Sequence, residues 1–365
     1  MSAGATGPVG LGIVGCGAAA LDVVRSCAGS SIRVTAVHDR DPARAAALAA
    51  RAGAVVHPGL DGLLADPTVE AVHVALPHDL LATTAIAALR SGRHVLVEKP
   101  LATSRAEIEL VRAAAVAAGR SVGVMFELRH VPTVAAAADL VRSGALGRIR
   151  LVRIRTLIDK PPAYWASGPT GLVADPWRAS RARAGGGVVL MNAIHLLDLV
   201  RLVTGREVVR VGAESAAGVA GADVEDVAAA TLRFADGAIG SLVASAHAPG
   251  AVSAETIEID GTGGGLRLGD PYAASPRLEV FLRSPSGDHP ADRWVVVEPP
   301  AVDPWAAALD DFARAIRFGR PPVPGLDDAE AALATVLAIY ESAERRIVVD
   351  VRRSFDAPAA ADARA

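Results

Sequence analysis

The sequence predicts an α/β protein of two parts, a doubly wound parallel sheet over residues 1–126 and a second α/β unit over residues 127–351. Three observations support this prediction. Short apolar strands alternate with helical segments in the first part, a pattern typical of parallel sheets. A glycine-rich turn joins the first strand to the first helix. From Glu207 onward several strands follow one another directly, which predicts a large, mostly antiparallel sheet. The last residues, 352–365, are expected to form a flexible tail.

The first part contains a helical segment after most of its strands. The expected strands are 9–14, 31–37, 55–56, 69–76, 94–97 and 121–126, and the expected helices begin near Leu21 and cover 42–52, 60–65, 79–91 and 103–118. Ligands of doubly wound sheets bind outside the carboxyl ends of the strands. The residues that directly follow these strands are therefore the first candidates for a functional site.

A glycine-rich turn follows the first strand, with small residues at Gly15, Gly17 and Ala20 in the spacing G-x-G-x-x-A. The first glycine permits the tight turn, the second allows backbone to approach a pyrophosphate, and the alanine lets helix and strand pack closely. The free N–H groups at the helix start favour the same anion. The turn therefore predicts a Rossmann-type dinucleotide site over residues 1–126, and its contacts are expected from Gly15, Cys16, Gly17, Ala18 and Ala19.

An acidic residue ends the second strand, at the distance from the glycines where a carboxylate binds the adenosine ribose. This residue is Asp39, and Arg40 follows it. A carboxylate accepts a hydrogen bond from the ribose 2′-hydroxyl of NAD and repels the 2′-phosphate of NADP, whereas an arginine can pair with that phosphate. We expect NAD to be the cofactor, with NADP as the alternative. The competing interpretation of Asp39 is a helix cap before Pro42.

Two further segments lie at carboxyl ends of strands, Leu76-Pro77-His78 and Glu98-Lys99-Pro100. The carboxyl ends of parallel strands meet at one edge of a sheet, so both segments are expected beside the cofactor. Pro100 restricts the backbone of Lys99 and gives its side chain a rigid origin. We expect Lys99 to act in the site, against the alternative of a solvated surface charge.

The second part is predicted to begin with a helix and to continue mainly as strands. Helices are expected over 130–143, 187–204, 305–318 and 327–345, and strands over 149–158, 207–212, 225–235, 238–247, 255–261, 265–268, 278–283 and 294–298. In the helix after the Gly185-Gly186-Gly187 run, Asn192, His195 and Asp198 are spaced by three residues and share one face. The alternative interpretation of His195 is a buried core histidine. Asp198 is expected either to orient His195 or to make a helix or domain contact.

Composition narrows the class of protein. The formal charge of −3 argues against electrostatic binding to nucleic acid or to an anionic membrane. Two cysteines, Cys16 and Cys27, are consistent with a reducing compartment, and no spacing of cysteines and histidines predicts a metal site. We find no signal peptide and no apolar run long enough to span a bilayer, and we expect a soluble, cytoplasmic protein.

Taken in order, these motifs resemble the glucose–fructose oxidoreductase / inositol dehydrogenase / rhizopine-catabolism (Gfo/Idh/MocA) family, over nearly the whole chain. The similar segments are GIVGCG, VHDRDPARA, HVLVEKPLA, PWR followed by GGGVVLMNAIHLLDLVRLVTG, EIDGTGGGLRL and DDFARAIRFGRPPVP. The resemblance implies an NAD(P)-dependent oxidoreductase of sugars, cyclitols or related polyols. It also implies a second domain whose open sheet forms the interface of a homodimer or homotetramer.

Carried over by position, the resemblance places Lys99 at the nicotinamide and substrate, with Lys99–Pro100 as a candidate cis peptide bond. His195 matches the active-site histidine, and Trp177 and Arg178 match a pair near the nicotinamide. The sequence departs from the family pattern at Met191, where an aspartate is common four residues before the histidine. It also departs in the usual Thr-Pro-Asn, here Leu76-Pro77-His78, and these departures bear on the substrate and the base more than on the cofactor.

The hypothesis that follows is hydride transfer between a secondary alcohol and nicotinamide, with a base at the hydroxyl. His195 is expected to serve as that base, because an imidazole titrates at about 6.5. Lys99 is expected to stabilise negative charge on the oxygen, to shift the His195 pKa, or to serve as the base itself if it is buried. Asn192 is expected to hold a neighbouring hydroxyl. One alternative is a glycosidase that oxidises a sugar transiently, eliminates the leaving group and returns the hydride. A second alternative is a cofactor-binding regulator without catalytic activity.

Overall fold

The computed structural model describes residues 7–219, 221–251, 254–273 and 275–351. The predicted tail lies outside the described residues. The predicted fold class is confirmed: a parallel sheet of six strands is followed by a mostly antiparallel sheet of nine.

The first sheet has the strand order β3-β2-β1-β4-β5-β6, and each pair of neighbouring strands in it is parallel. Its strands are β1 (Val9–Val14), β2 (Ile32–His38), β3 (Val55–Val56), β4 (Ala71–Val74), β5 (His94–Glu98) and β6 (Val122–Met125). β4 is shorter than predicted and ends before Ala75. The order reverses at β1, so β1 and β4 flank the switch point at which such sheets bind ligands.

Five helices connect these strands: α1 (Ala18–Ser26), α2 (Pro42–Ala52), α3 (Leu60–Ala65), α4 (His78–Arg90) and α5 (Arg105–Ala118). Their ends follow local sequence signals. Asp41 caps α2, and the left-handed Gly53 (φ 66°) ends it. Ser104 and Glu107 form a capping box at the start of α5.

The second sheet has the order β14-β13-β12-β11-β7-β10-β9-β8-β15. Its strands are β7 (Ile149–Leu157), β8 (Val208–Ala216), β9 (Val227–Phe234), β10 (Ile239–Ser245), β11 (Ala254–Gly261), β12 (Gly264–Leu268), β13 (Leu278–Leu282), β14 (Trp294–Val297) and β15 (Val349–Asp350). One pair, β7 and β10, is parallel, because a helical crossover separates β7 from the β8–β10 meander. The two-residue strand β15 is not predicted by the sequence pattern.

The helices of the second part are α6 (Pro132–Arg142), α7 (Pro162–Ser167), α8 (Arg181–Ala184), α9 (Ile194–Thr204), α10 (Pro304–Phe318) and α11 (Leu326–Arg345). A 3-10 turn at Glu127–His130 precedes α6, so α6 begins later than predicted. The predicted helix 187–204 is not uniform: Val189–Ala193 forms a π-helical turn before α9. The predicted common face of Asn192, His195 and Asp198 assumed a regular α-helix, and residues 189–193 do not have that geometry.

Helix α10 packs on the first sheet although it lies late in the chain. Leu309 and Phe312 of α10 are buried in one hydrophobic cluster with Leu11 and Ile13 of β1. Phe312 lies so close to the backbone of Gly123 that a Cβ there would be 2.9 Å from its ring. The second part of the chain therefore closes one face of the first sheet.

One segment of the described chain, Arg181–Thr204, is long and apolar enough to cross a membrane by length and composition. The sequence analysis did not identify this segment as a possible membrane span. Its most apolar stretch is 83% buried inside the protein. Packing in the core accounts for its apolar composition.

Candidate active site

The glycine turn between β1 and α1 has the geometry that its sequence predicts. Gly15 has a φ of +93°, and a Cβ at this position would lie 2.2 Å from the carbonyl oxygen of Ala75. Only glycine fits both constraints. A Cβ on Gly17 would meet only Val173, at 3.9 Å. The approach to the Gly17 backbone is therefore open on the side where a phosphate would bind.

The start of α1 completes a cradle for an anion. Gly17 is the N-cap, no side chain caps it, and Ala18 and Ala19 on the first turn are half-buried. The first N–H groups of a helix lack partners within it, and the helix dipole is positive there. These residues fit the pyrophosphate of a dinucleotide.

Asp39 lies beside this cradle and is held in place by three groups. Its carboxylate accepts from the backbone N–H of Cys16 at 2.8 Å and from that of Asp41 at 2.8 Å, and it pairs with Arg44 at 2.7 Å. Burial raises the Asp39 pKa, but the hydrogen bonds from Arg44, Asp41 and Cys16 together outweigh it, so the pKa is lowered and the carboxylate is charged. Burial raises the pKa of the Cys16 thiol to about 12, so Cys16 acts through its backbone. Asp41, and not Asp39, is the cap of α2.

Arg40 points away from Asp39 to the irregular segment 159–184. Its guanidinium lies 2.7 Å from a carboxylate oxygen of Asp175, whose other oxygen lies 2.5 Å from Arg183. Arg183 also reaches Asp79 on α4, at 3.2 Å. Asp175 is thus shared by two arginines and ties the segment to the first part of the chain.

The same segment covers the carboxyl end of β4. Leu76 and Pro77 are half-buried there, and His78 donates from Nδ1 to the carbonyl oxygen of Ala184 at 2.7 Å. The His78 ring lies edge-on to Trp177, with centroids 4.6 Å apart. Burial lowers the His78 pKa to about 3, so the ring is neutral and serves as a support for Trp177. Arg178 in turn stacks over the Trp177 ring at 4.4 Å.

Lys99 extends from the end of β5 to the second part of the chain. Its Nζ donates to the carbonyl oxygen of Met191 at 2.6 Å, within the π-helical turn that leads into His195. The Lys99–Pro100 bond is cis, as the resemblance implies. Burial lowers the Lys99 pKa, although Glu98 and Glu127 oppose this effect. π-helical turns are rare and occur often at functional sites.

His195 is buried, at 4% exposure, and its Nδ1 has no hydrogen-bond partner. Its ring lies edge-on between Phe126, at 5.8 Å, and Tyr272, at 5.9 Å. Burial and the charge of Lys99 lower the His195 pKa well below its usual value. A buried nitrogen without a hydrogen-bond partner costs free energy, so a bound polar group that bonded this nitrogen would stabilise the ring.

Several charged groups near Lys99 were not identified from the sequence. Burial, followed by Glu98, raises the pKa of Glu127 to about 8, and burial, followed by Asp270, raises that of Glu255 to about 7. Burial, followed by the charge of Lys99, lowers the pKa of Lys160 to about 8. Glu127 directly follows the predicted strand 121–126, so the rule on strand ends could have found it. Glu255 lies on a strand far along the chain and carries no such signal.

Of the other predicted residues, Asn192 and Glu98 lie at the site, whereas Asp198 is bonded elsewhere. Asn192 is half-buried on the π-helical turn, and Glu98 lies 3.2 Å from the buried ring of His73. Asp198 instead forms a two-point ion pair with Arg129, at 2.6 and 2.5 Å. Asp198 is therefore a structural group that joins α9 to the turn before α6.

A Rossmann-type nucleotide cradle, with a strand-end lysine bonded to the turn that leads into His195, indicates the class of dinucleotide-dependent oxidoreductases. The chain matches the family model described as oxidoreductase family, NAD-binding Rossmann fold, over residues 9–126, and the GFO/IDH/MocA C-terminal domain over residues 134–267. The chain belongs to the GFO/IDH/MocA family of oxidoreductases. It is an NAD-binding enzyme of the class that dehydrogenates CH–OH groups.

Similar proteins span most of this chain. Levoglucosan dehydrogenase from Pseudarthrobacter phenanthrenivorans is 29% identical over 79% of this chain and 82% of its own. The 1,5-anhydro-D-fructose reductase from Ensifer adhaerens is 31% identical over 78% of this chain and 80% of its own. The structure of levoglucosan dehydrogenase in complex with NADH and levoglucosan has a TM-score of 0.83 and 26% identity, covering 95% of this chain and 100% of that one.

Proposed function

We propose that this protein is an NAD-dependent dehydrogenase that oxidises a secondary alcohol of a sugar, a cyclitol or a related polyol. The observation that carries the proposal is the 2.6 Å hydrogen bond between Lys99 and the carbonyl oxygen of Met191. It brings the lysine from the edge of the first sheet to the turn that leads into His195. A hydroxyl between these two side chains has both a proton acceptor and a hydrogen-bonding partner.

Oxidation of an alcohol requires a group that takes the hydroxyl proton. When bound, the nicotinamide ring supplies the hydride acceptor. We assign the proton to Lys99, because burial lowers its pKa and makes the neutral amine available. The neutral His195 ring holds the reacting oxygen by a hydrogen bond, and Asn192 binds a neighbouring hydroxyl. Lys99, His195 and Asn192 are thus the proposed catalytic residues.

The proposed cofactor residues lie around the cradle and the two strand ends: Gly15, Cys16, Gly17, Ala18, Ala19, Asp39, Arg40, Leu76, Pro77, His78, Glu98, Lys99, Trp177 and Arg178. We propose NAD as the working cofactor. The lowered pKa of Asp39 supports this choice, because a charged carboxylate accepts from a ribose hydroxyl and repels a 2′-phosphate. Arg40, the residue that could pair with that phosphate, is already paired with Asp175.

The substrate class is supported by the names of the relatives, which include levoglucosan, inositol and xylose dehydrogenases. The test is a panel of sugars, inositols and sugar acids, with NADH formation followed by absorbance. Oxidation of at least one such compound supports the proposal. Release of a sugar from aryl glycosides without net NADH would replace it by the glycosidase mechanism, and inactivity on every compound would contradict it.

We also propose a homodimer or homotetramer formed through the second sheet, in the cytoplasm. Alternate residues of β9 and β10 are exposed, and Val227, Ile239 and Val243 remain 40%, 47% and 45% exposed. An apolar sheet face of this kind is typical of an interface. Both cysteines are free thiols, which supports a reducing compartment. Sedimentation equilibrium of the protein and of Val243→Lys tests the assembly, and a monomeric wild type would contradict it.

A further inference from the structure

A large cavity lies beside the proposed catalytic residues. Its volume is about 910 Å³, near the upper end of the ~300–1,000 Å³ typical of ligand pockets. Three parts of the chain form it: the turn after β6 and the start of α6, the loop after β12, and the segment from β14 to the start of α10. Lys99 and His195 are not among its lining residues. The cavity is therefore a space additional to the lysine–histidine pair.

Two lining residues connect the cavity to the catalytic pair. Tyr272 is 45% exposed, and its ring lies edge-on to His195 at 5.9 Å. Glu127 is buried and interacts electrostatically with Lys99. Tyr272 and Glu127 thus border both the reacting position and the cavity. A substrate held at Lys99 and His195 has this cavity as its neighbouring free space.

The lining combines aromatic rings with hydrogen-bonding groups. Tyr272 and Trp305 provide two flat apolar surfaces, and the exposed Ser275, Arg277 and Glu298 provide donors and acceptors. Such a pocket suits a ligand with an apolar ring face and a polar edge, because each kind of surface finds its complement. A pyranose has that combination of C–H face and hydroxyl edge.

We propose that this cavity is a subsite for a second sugar ring, so that the enzyme oxidises one unit of a glycoside of about disaccharide size in preference to the free monosaccharide. The inference rests on the proposed function, since it names the larger substrate of the same site. Lys99 and His195 hold the unit that is oxidised, and the linked unit lies against Trp305 beyond Tyr272.

The test compares a disaccharide with the monosaccharide that contains the same oxidisable unit, once the panel has identified that unit. The wild type is expected to show a kcat/KM about tenfold or more higher for the disaccharide, a size of effect that pocket contacts of one group produce. Trp305→Ala is expected to remove this preference by raising KM for the disaccharide alone. Val302→Trp, at a 51% exposed position of the cavity wall, is expected to do the same by filling the space.

A matched control is Trp294→Ala. Trp294 is 43% exposed on β14, stacks with Arg267 and does not line the cavity. This variant is expected to keep the wild-type preference. The thermal unfolding midpoint of each variant shows whether it folds, and Val302→Trp keeps the test decisive if Trp305→Ala does not.

The two proposals fail in different ways. Equal kcat/KM for both sugars, with Trp305→Ala affecting neither or both equally, overturns the subsite and leaves the dehydrogenase standing. If no compound yields NADH, calorimetric titration of the wild type with disaccharides still tests the cavity. Heat of binding that Trp305→Ala abolishes and Trp294→Ala retains supports it, and absence of binding overturns it.

Discussion

Lys99 Nζ lies 2.6 Å from the main-chain oxygen of Met191, four residues before His195. Met191 is the position at which the sequence departs from the expected aspartate, and its backbone, not its side chain, accepts the hydrogen bond from the lysine. A carbonyl oxygen accepts a hydrogen bond from the lysine without placing a negative charge beside it. Lys99 accordingly keeps a lowered pKa, which a carboxylate at the same place would raise.

Loss of either member of the pair should remove activity and spare the cofactor. We expect Lys99→Met and His195→Gln each to lower kcat by about 100-fold or more, because each removes a group at the reacting hydroxyl. NAD affinity, measured by fluorescence titration, should stay within about threefold. Asp139→Asn, an exposed substitution on α6, is the control for both. Wild-type turnover in both variants would contradict the site.

The pH dependence of oxidation should report Lys99. Its pKa is lowered by burial, so the amine is the active form and kcat/KM should rise with pH to a plateau reached below the usual lysine range. His195 has a pKa well below its usual value and should not limit the rate near neutral pH. Glu127→Gln removes a carboxylate that raises the Lys99 pKa, so the midpoint should shift to lower pH. The control Glu109→Gln, on the exposed face of α5, should leave it unchanged.

An unchanged midpoint in Glu127→Gln would argue that Glu127 does not act on the titrating group. A midpoint that persists in Lys99→Arg, together with loss of the profile in His195→Gln, would assign the base to His195.

Cofactor choice should depend on Asp175 as well as on Asp39. In Asp175→Asn the Arg40 guanidinium loses its charged partner and becomes free to pair with a 2′-phosphate. We expect KM for NADP to fall several-fold in this variant, and further in the double variant with Asp39→Ser, while KM for NAD rises in the double variant. Asp223→Asn, also in contact with an arginine of this region, is the control. Unaltered KM values for NADP in both variants would refute a role for Asp175.

The buried Asp198–Arg129 pair should matter for stability. Asp198 is fully buried and Arg129 nearly so, and removal of one partner from a buried pair costs about 3–5 kcal/mol. In Asp198→Asn the Arg129 guanidinium keeps Asp328 as a partner at 3.0 Å, so the variant should lower the free energy of unfolding by at most about that amount in urea titrations. The exposed pair Arg142–Asp139 is the comparison, and its loss should cost about 1 kcal/mol or less. A folded Asp198→Asn protein with kcat reduced 100-fold would instead indicate a catalytic role.

The local patterns in the sequence predicted most of the fold. The order of strands and helices in the first part and the tight turn at Gly15 both follow from residues close together in the chain. The π-helical turn at 189–193 was not predicted, because the apolar pattern there is also that of a regular helix. The strand β15 was missed because two residues are too few to show a period.

The sequence by itself determined the nucleotide cradle, the strand-end position of Lys99 and the family, because each depends on spacing within a short segment. Only the tertiary structure joined Lys99 to Met191, Arg40 to Asp175 and Tyr272 to His195. These partners lie far apart in the chain, and no local period marks them. They meet because two sheets and a covering segment pack together, so the charge of the site and the space for a substrate are properties of that packing.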